Sequence, residues 1–504
     1  MAENKARKLI VCCDGTWNTP KQEDNGVPSP TNVYKLYRAI SDIPEQLTYY
    51  HPGVGTEGHA IERTLDGAFG NSLGEHIQSA YYWLAENYRQ DDQIYLFGFS
   101  RGAFTVRSLA GMLGLCGLLN FSKLVVRKRW VRVKAAYKAY RQEDLSFPKD
   151  KEVAIKFLGV WDTVGALGIP DDAEILNALF DNKRKWGFHN TALGGHIKIA
   201  RHAIALDEKR SSFTCTRWKN VNQHENAQEV WFPGVHSDVG GGYEHSSLSD
   251  IALDWMLKEA KKGGLEFKDV GDQIKPNWRG PMHDSYKGVF AALRSRPRNI
   301  PCIDKSNKNL LHDSVLERQK ETLIKYPDCW PTRRLKRGES CEVNVYASER
   351  WNYTGVYMKE GERYTFSASG EWVDKSDSCG WRGTENDRNS TKGDVVRLIG
   401  SLLGKLEPSF ERSNRSPDLW MTKRVESADW FSMVGAIAND SGNPHVVDND
   451  GSPIPHEYIE LPKHQKGNPV KITSPGYFYA FANDAWHFYK NNKGAIRLKI
   501  KRTL

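Results

Sequence analysis

The chain predicts an α/β domain built on a mainly parallel sheet, followed by an all-β sandwich domain. Three observations carry this. Short β-branched runs alternate with longer helical patterns up to about residue 265, the pattern of parallel strands joined by crossover helices. After Gly338 strand runs follow one another without long helices. At 504 residues the chain exceeds what one hydrophobic core ordinarily fills. The expected division places residues 1–335 in the first domain with an appended segment, and 336–504 in the second.

In the first part, residues 8–13, 47–51, 93–97, 154–161 and 229–232 read as strands, with a further one near Ile197. Helical periodicity covers 31–40, 72–88, 102–119, 123–142 and 249–262. From about 265 to 335 Pro, Asn and Arg rise, which reads as an appendage wrapping the first domain and then a linker. The later strand runs are 341–348, 353–358, 363–372, 477–484 and 495–502, while 404–455 reads as a loop-rich insertion.

Composition narrows the class. Hydrophobic residues make up 39%, charged residues 26% and aromatics 11%, values of a folded globular chain. Lys plus Arg exceed Asp plus Glu by 71 to 62, a net charge of +9. Part of that excess is local: residues 122–142 carry eight basic side chains and no acidic one. No nucleic-acid-binding motif accompanies them, so an anionic membrane surface is the expected partner and DNA or RNA is not. Eight cysteines without CxxC spacing read as reduced thiols. The short apolar run at the N-terminus does not read as a secretory signal. The expectation is a chain made in the cytoplasm, any export using a route without a cleaved signal.

The segment QIYLFGFSRGAFTVR places Gly98, Ser100 and Gly102 between an apolar strand and an amphipathic helix. This is the GxSxG arrangement in the context it requires, a sharp turn that lifts the serine above the sheet at a helix N-terminus. A serine hydroxyl needs a base, and the base needs an acid to fix its tautomer. In α/β hydrolases the chain order is Ser, then Asp or Glu, then His. Asp162 follows the strand IKFLGVW, and His236 sits in a glycine-rich turn after EVWF. Parallel strands end at one edge, so Ser100, Asp162 and His236 are the expected triad. His202, Asp207 and Asp238 are the competitors, with His202 in an alternating apolar segment that suits a support role. Arg101, through its amide, and Gly15 or Thr16 in the loop after the first strand are the expected oxyanion donors.

Taken together, VCCDGTWN, FGFSRGAFTVR, GVWDTVGALG, HAIALDEKR, EVWFPGVHSDVGGGY and LLHDSVLER resemble the α/β-hydrolase family that includes type VI secretion phospholipase effectors. The resemblance spans roughly residues 7–330 and implies that Ser100, Asp162 and His236 act as the triad. It also implies lipid-ester hydrolysis, a secretion machinery and an immunity protein as partners. Residues 126–140 then become a candidate interfacial cap over the site, with Val126, Trp130, Val133, Tyr137 and Tyr140 on one face and basic residues around it.

Near the C-terminus, Asp484 is followed by Asn491 and Asn492, a carboxylate and two amide oxygens on one loop of the kind calcium takes. With NYTGVYMKEGERYTFSASGEW and VVRLIG, this loop resembles the galactophilic, calcium-dependent bacterial lectin family of β-sandwiches. The resemblance implies calcium as cofactor, held by Asp484, Asn491, Asn492 and the carbonyl of Phe488, with Asp484 and Asn491 also touching a bound glycan. Bulky Trp486, His487 and Phe488 and the preceding insertion depart from that pattern. The expected function is a serine esterase acting on a lipid or phospholipid. Two alternatives stand beside it: a carbohydrate esterase deacylating a glycan, and a non-catalytic surface-binding protein.

Overall fold

The computed structural model describes residues 6–504 apart from 16–17, 54–67, 166–190, 289, 291–293, 322–331, 375–376, 385–422, 441–453 and 487. Six strands, β1 (Lys8–Cys13), β2 (Gln46–His51), β3 (Gln93–Phe99), β4 (Ile155–Trp161), β5 (Ala200–Ala205) and β6 (Ala227–Phe232), form one sheet in the order β2-β1-β3-β4-β5-β6. Every neighbouring pair is parallel. β5 begins three residues beyond the run centred on Ile197, which instead makes an isolated bridge to Ile155.

Helices cover both faces. They are α1 (Asn32–Ala39), α2 (Ala68–Asn87), α3 (Arg101–Cys116), α4 (Val126–Arg141), α5 (His236–Gly240) and α6 (Ser247–Lys262). The pleat divides the strands between two cores: Leu9, Val11, Cys13 and Leu96 pack under α2, α3 and α4, while Ile10, Cys12, Tyr95 and Phe97 pack under α1 and α6. Burial on both faces is why these strands read as unbroken apolar runs. The result is an α/β-hydrolase-like core.

One expectation is corrected here. Val133 and Tyr140 of α4 are buried in the core, so they do not form an exposed apolar face. The exposed apolar residues are Val125, Val126, Trp130 and Val131, and Trp130 stacks on Tyr82 while Arg129 lies over Phe121. Phe121 follows the C-terminal end of α3, whereas Ser100 precedes its N-terminus. Sixteen helical residues, about 24 Å, therefore separate that tip from the serine, and α4 is no cap over it.

The C-terminal part contains β7 (Ser340–Tyr346), β8 (Asn352–Met358), β9 (Arg363–Ser369), β10 (Trp372–Asp374), β11 (Asp377–Cys379), β12 (Met433–Asn439), β13 (Glu457–Glu460), β14 (Val470–Lys471), β15 (Gly476–Ala482) and β16 (Asn492–Arg502). They form two antiparallel sheets, β8-β15-β12-β13 and β11-β10-β16-β9-β14, with β7 also paired to β16. One apolar cluster takes Met358, Met433, Ile437 and Phe478 from the first sheet and Val345, Phe366, Trp372 and Leu498 from the second.

β12 lies inside the stretch read as a loop-rich insertion, and this is a second correction. All seven of its residues, MVGAIAN, are buried between β15 and β13. Full burial leaves no polar alternation to read, and its Gly and Ala carry no strand signal of their own. The glycine is needed for space: a Cβ on Gly435 would stand 2.5 Å from the Phe478 ring.

A further apolar cluster joins the two parts. Ile204 and Trp231 come from the parallel sheet, Ile300, Ile303 and Leu311 from the segment read as an appendage, and Tyr357 and Tyr477 from the C-terminal strands. Among the described residues, no helix is long and apolar enough to cross a membrane.

Replacing Ile437 by Ala in β12 is expected to destabilise the chain by about 2–5 kcal/mol, because the side chain is wholly buried in the shared cluster. Urea unfolding followed by tryptophan fluorescence measures this, and a loss below roughly 1 kcal/mol would contradict a core position for β12.

Candidate active site

The strand register sets the site. Phe99, the last residue of β3, pairs with Trp161, the last of β4, and Trp161 pairs with Ala203. Ser100 and Asp162 thus leave adjacent strands at the same level, beside the point where β1 has neighbours running off in both chain directions. Ligands of open α/β sheets bind at such a switch point.

Ser100 occupies the elbow with φ 56° and ψ −122°, and its N–H donates to the Trp161 carbonyl at 3.1 Å. The glycines on either side answer to space. A Cβ on Gly98 would lie 2.4 Å from the Gly102 carbonyl oxygen, and one on Gly102 would lie 2.1 Å from that of Cys13. No larger residue fits without parting α3 from the sheet.

Asp162 is fully buried and also strained, at φ 36°. Positive φ costs a non-glycine residue on the order of 1–3 kcal/mol and concentrates at functional positions. Its Oδ2 lies 2.5 Å from His236 Nδ1, and its Oδ1 accepts from the Ala205 amide at 2.9 Å. A carboxylate only accepts, so the Asp162 bond places the imidazole proton on Nδ1 and leaves Nε2 as the basic nitrogen. Two aromatic rings flank the His236 imidazole, Phe99 at 4.5 Å and Phe213 at 5.0 Å between centroids. Among the described residues no hydrogen bond joins the Ser100 hydroxyl to His236; the serine is the immediate neighbour of Phe99, on which the imidazole rests.

Arg298, which sequence reasoning passed over, completes the acid. Its guanidinium donates through Nη1 to Asp162 Oδ1 at 2.6 Å and through Nη2 to Oδ2 at 2.9 Å. Burial by itself would push the Asp162 carboxyl up; the Arg298 charge and the His236 and Arg298 hydrogen bonds reverse that and hold it well below the ordinary carboxylate range. Burial also lowers the His236 imidazole, against the pull of Asp162. Arg298 belongs to RSRPRN, a stretch with no periodicity, 136 residues beyond its partner, and nothing local marks it.

The competitors have other work. His202 is buried on β5, its Nδ1 3.2 Å from Glu229 and its Nε2 accepting from the Thr163 amide, the support role expected of it. Asp207 accepts from the Gly234 amide, and Asp238 pairs with His283 at 2.6 Å. Glu208 accepts from the His236 amide at 3.2 Å and is held by both Nε and Nη2 of Arg210.

The Arg101 amide stands at the first position of α3, where the helix dipole is positive. The Gly15 N–H donates to Asp14 Oδ1 at 2.7 Å, its engagement in this structure. Asp14 organises this loop, also accepting from Thr31 at 2.6 Å and Tyr50 at 2.8 Å. Thr16 lies outside the described residues.

In the C-terminal loop, Asp484 is buried, Oδ1 accepting from the Ala485 amide at 2.7 Å and Oδ2 from Asn492 Nδ2 at 2.9 Å. Among the described residues the Asn492 side-chain oxygen is buried without a hydrogen-bond partner. Asn491 ends a short 3-10 turn, its amide donating to the Phe488 carbonyl at 3.3 Å. His487 and the VVRLIG stretch lie outside the described residues.

Burial would raise Glu208 and Glu229, but Arg210 and Arg217 respectively hold both down at about 2. Carboxyls depressed from 4.5 supply stability that is present above that value and is lost as pH falls toward 2. Asp14 opposes this: burial raises it to about 6, so stability is lost as it ionises on the way up. Glu229→Gln is expected to lower the urea midpoint at about pH 7 yet to shrink the further loss between about pH 7 and pH 3. An unchanged loss would show that Glu229 is not a source of the acid sensitivity.

The model of the family described as T6SS phospholipase effector Tle1-like, catalytic domain, matches residues 7–259, about half of the chain. An uncharacterized protein of Saccharomyces cerevisiae, YEL023C, is 33% identical over 239 residues, which are 42% of this chain and 32% of that protein. Among solved structures, an uncharacterized protein from Pseudomonas aeruginosa is 20% identical with a TM-score of 0.34, covering 55% of this chain and 49% of that one. The Tle1 effector in its complex with the VgrG spike of the type 6 secretion system is 19% identical with a TM-score of 0.31, covering 48% and 52%. The chain thus spans about a third of the yeast relative's length and about half of each of these two structures. By the match that spans Ser100, Asp162 and His236, the chain belongs to the Tle1-like phospholipase effector family.

Proposed function

We propose that the chain is a serine carboxylic-ester hydrolase of lipase or phospholipase type with Ser100, His236 and Asp162 as its triad. The observation that carries this reading is the His236 Nδ1 to Asp162 contact of 2.5 Å, made at the sheet edge where Ser100 stands on its strained elbow. In the reaction, Ser100 Oγ attacks the ester carbonyl while His236 Nε2 takes its proton. The Arg101 amide at the α3 N-terminus offers a donor to the oxyanion, and the tetrahedral adduct expels the alcohol, which receives that proton from His236. Water, deprotonated by the same imidazole, then releases the acyl group from Ser100. Family membership supports a lipid ester as substrate and a secretion-spike protein as carrier; an immunity protein follows by the same analogy.

The C-terminal sheets share one core and support a β-sandwich that accompanies the hydrolase as a surface-binding module. Its loop suits calcium in donor type: a buried carboxylate lies beside an amide oxygen that has no partner among the described residues. Asp484, Asn491, Asn492 and the Phe488 carbonyl are the residues that would hold the ion, and bound calcium would supply a centre for sugar hydroxyls at Asp484 and Asn491. Deacylation of such a glycan by Ser100 is the second reading, and this loop is the feature that favours it.

A fluorophosphonate probe is expected to label wild type and not Ser100→Ala, with phospholipid hydrolysis falling by roughly 10³-fold or more in the variant. Labelling that survives the substitution removes the serine. Turnover of acetylated glycans with phospholipids left intact would select the second reading. In calorimetry, calcium is expected to bind wild type and not Asp484→Ala; equal heats from both would remove the proposed ion site.

A further inference from the structure

We propose that residues 295–303 form a strap through which the C-terminal sheets set the charge balance of the catalytic acid, with Arg298 as the positioning residue. The inference rests on the triad reading. Arg298 reaches into the hydrolase core: besides the paired bonds to Asp162, its Nη1 donates to the Ala205 carbonyl at 2.6 Å and its Nη2 to that of Phe213 at 2.7 Å. Four bonds to three chain positions fix the fork in one orientation.

The residues on either side face the other way. Arg296 Nη2 and Asn299 Nδ2 donate to the Ile454 carbonyl at 3.0 and 3.2 Å, and the Pro297 carbonyl accepts from His456 Nε2 at 3.1 Å. The Cys302 amide donates to Asp440 at 3.3 Å and the Ile303 amide to the Tyr477 hydroxyl at 2.9 Å. The strap is thus held by the C-terminal part while its Arg298 side chain is spent on Asp162.

The consequence is electrostatic. In a simple dyad the carboxylate's full charge raises the basicity of the imidazole and stabilises the imidazolium formed during attack. Here the charge of Asp162 is shared with a fixed cation, so His236 faces an ion pair. The other charged groups near it are Glu208 and Arg210, on the loop after β5, which bind each other. Asp238, on α5 with His236, is bonded to His283. Arg298 acts on His236 through Asp162 and keeps the imidazole unprotonated to lower pH, and displacement of the strap would undo this.

The test is the titration of His236 in the full chain, followed by carbon-13 NMR of labelled histidines and assigned with His236→Gln, alongside the pH dependence of fluorophosphonate labelling. Arg298→Gln is expected to move the His236 midpoint and the acid limb of labelling upward by about 1–3 units. His456→Ala, which cuts a sheet-side anchor and leaves triad and Arg298 intact, is expected to shift both in the same direction by less. His456→Gln, which keeps an N–H for Pro297, is expected to restore the wild-type profile. Should Arg298→Gln fail to fold, the His456 pair gives the answer. Unshifted titration in Arg298→Gln overturns the positioning role, and unshifted titration in His456→Ala overturns the strap. Failure of wild-type Ser100 to label would count against the hydrolase alone, since the NMR titration is read without turnover.

Discussion

The arrangement around Asp162 governs the site. A carboxylate taken wholly out of water is tolerated only when its charge is matched and its oxygens are bonded. Asp162 meets both conditions with a guanidinium fork, an imidazole and a backbone amide. Those partners come from three separate places: residue 298 in the connecting segment, α5, and the end of β5. The hydrolase edge and the connecting segment are therefore held together at one buried charge. Breaking one side of such a pair ordinarily costs about 3–5 kcal/mol, because the remaining charge has nowhere to go.

Around this charge the fold is organised by close approach. Gly98 and Gly102 let α3 sit against β1 and β3 at distances no side chain permits, which brings the α3 N-terminus to the serine. Strain is placed at Ser100 and Asp162, two of the few described non-glycine residues with positive φ, and the surrounding packing sustains it. A similar economy appears in Gly240, where a Cβ would stand 1.9 Å from the Phe99 ring that supports His236. Glu208, locked by Arg210, accepts from the backbone amide of His236.

The C-terminal sheets are tied to this assembly through an apolar cluster and a set of polar contacts to the connecting segment. The buried polar groups at that junction bond across it, so the two parts are coupled in geometry as well as in sequence.

The sequence by itself determined five of the six strands of the parallel sheet, the serine elbow, and the acid and histidine that the fold brings together as a bonded pair. Each was legible because its signal is local: an apolar run, a glycine spacing, a chain order imposed by strands ending at one edge. What it left undetermined depends on contacts between distant segments. Arg298 carries no periodicity and gains meaning only when the chain returns to Asp162. β12 is buried on both faces and so shows no alternation. α4 has a basic and apolar composition that suits a cap, but its direction of packing on α3 places its exposed tip at the far end of that helix. Gly15 stands in the expected loop, yet its amide answers to Asp14. Tertiary structure decided these because hydrogen-bond direction, helix orientation and charge pairing are set by neighbours in space, and spacing along a chain encodes none of them.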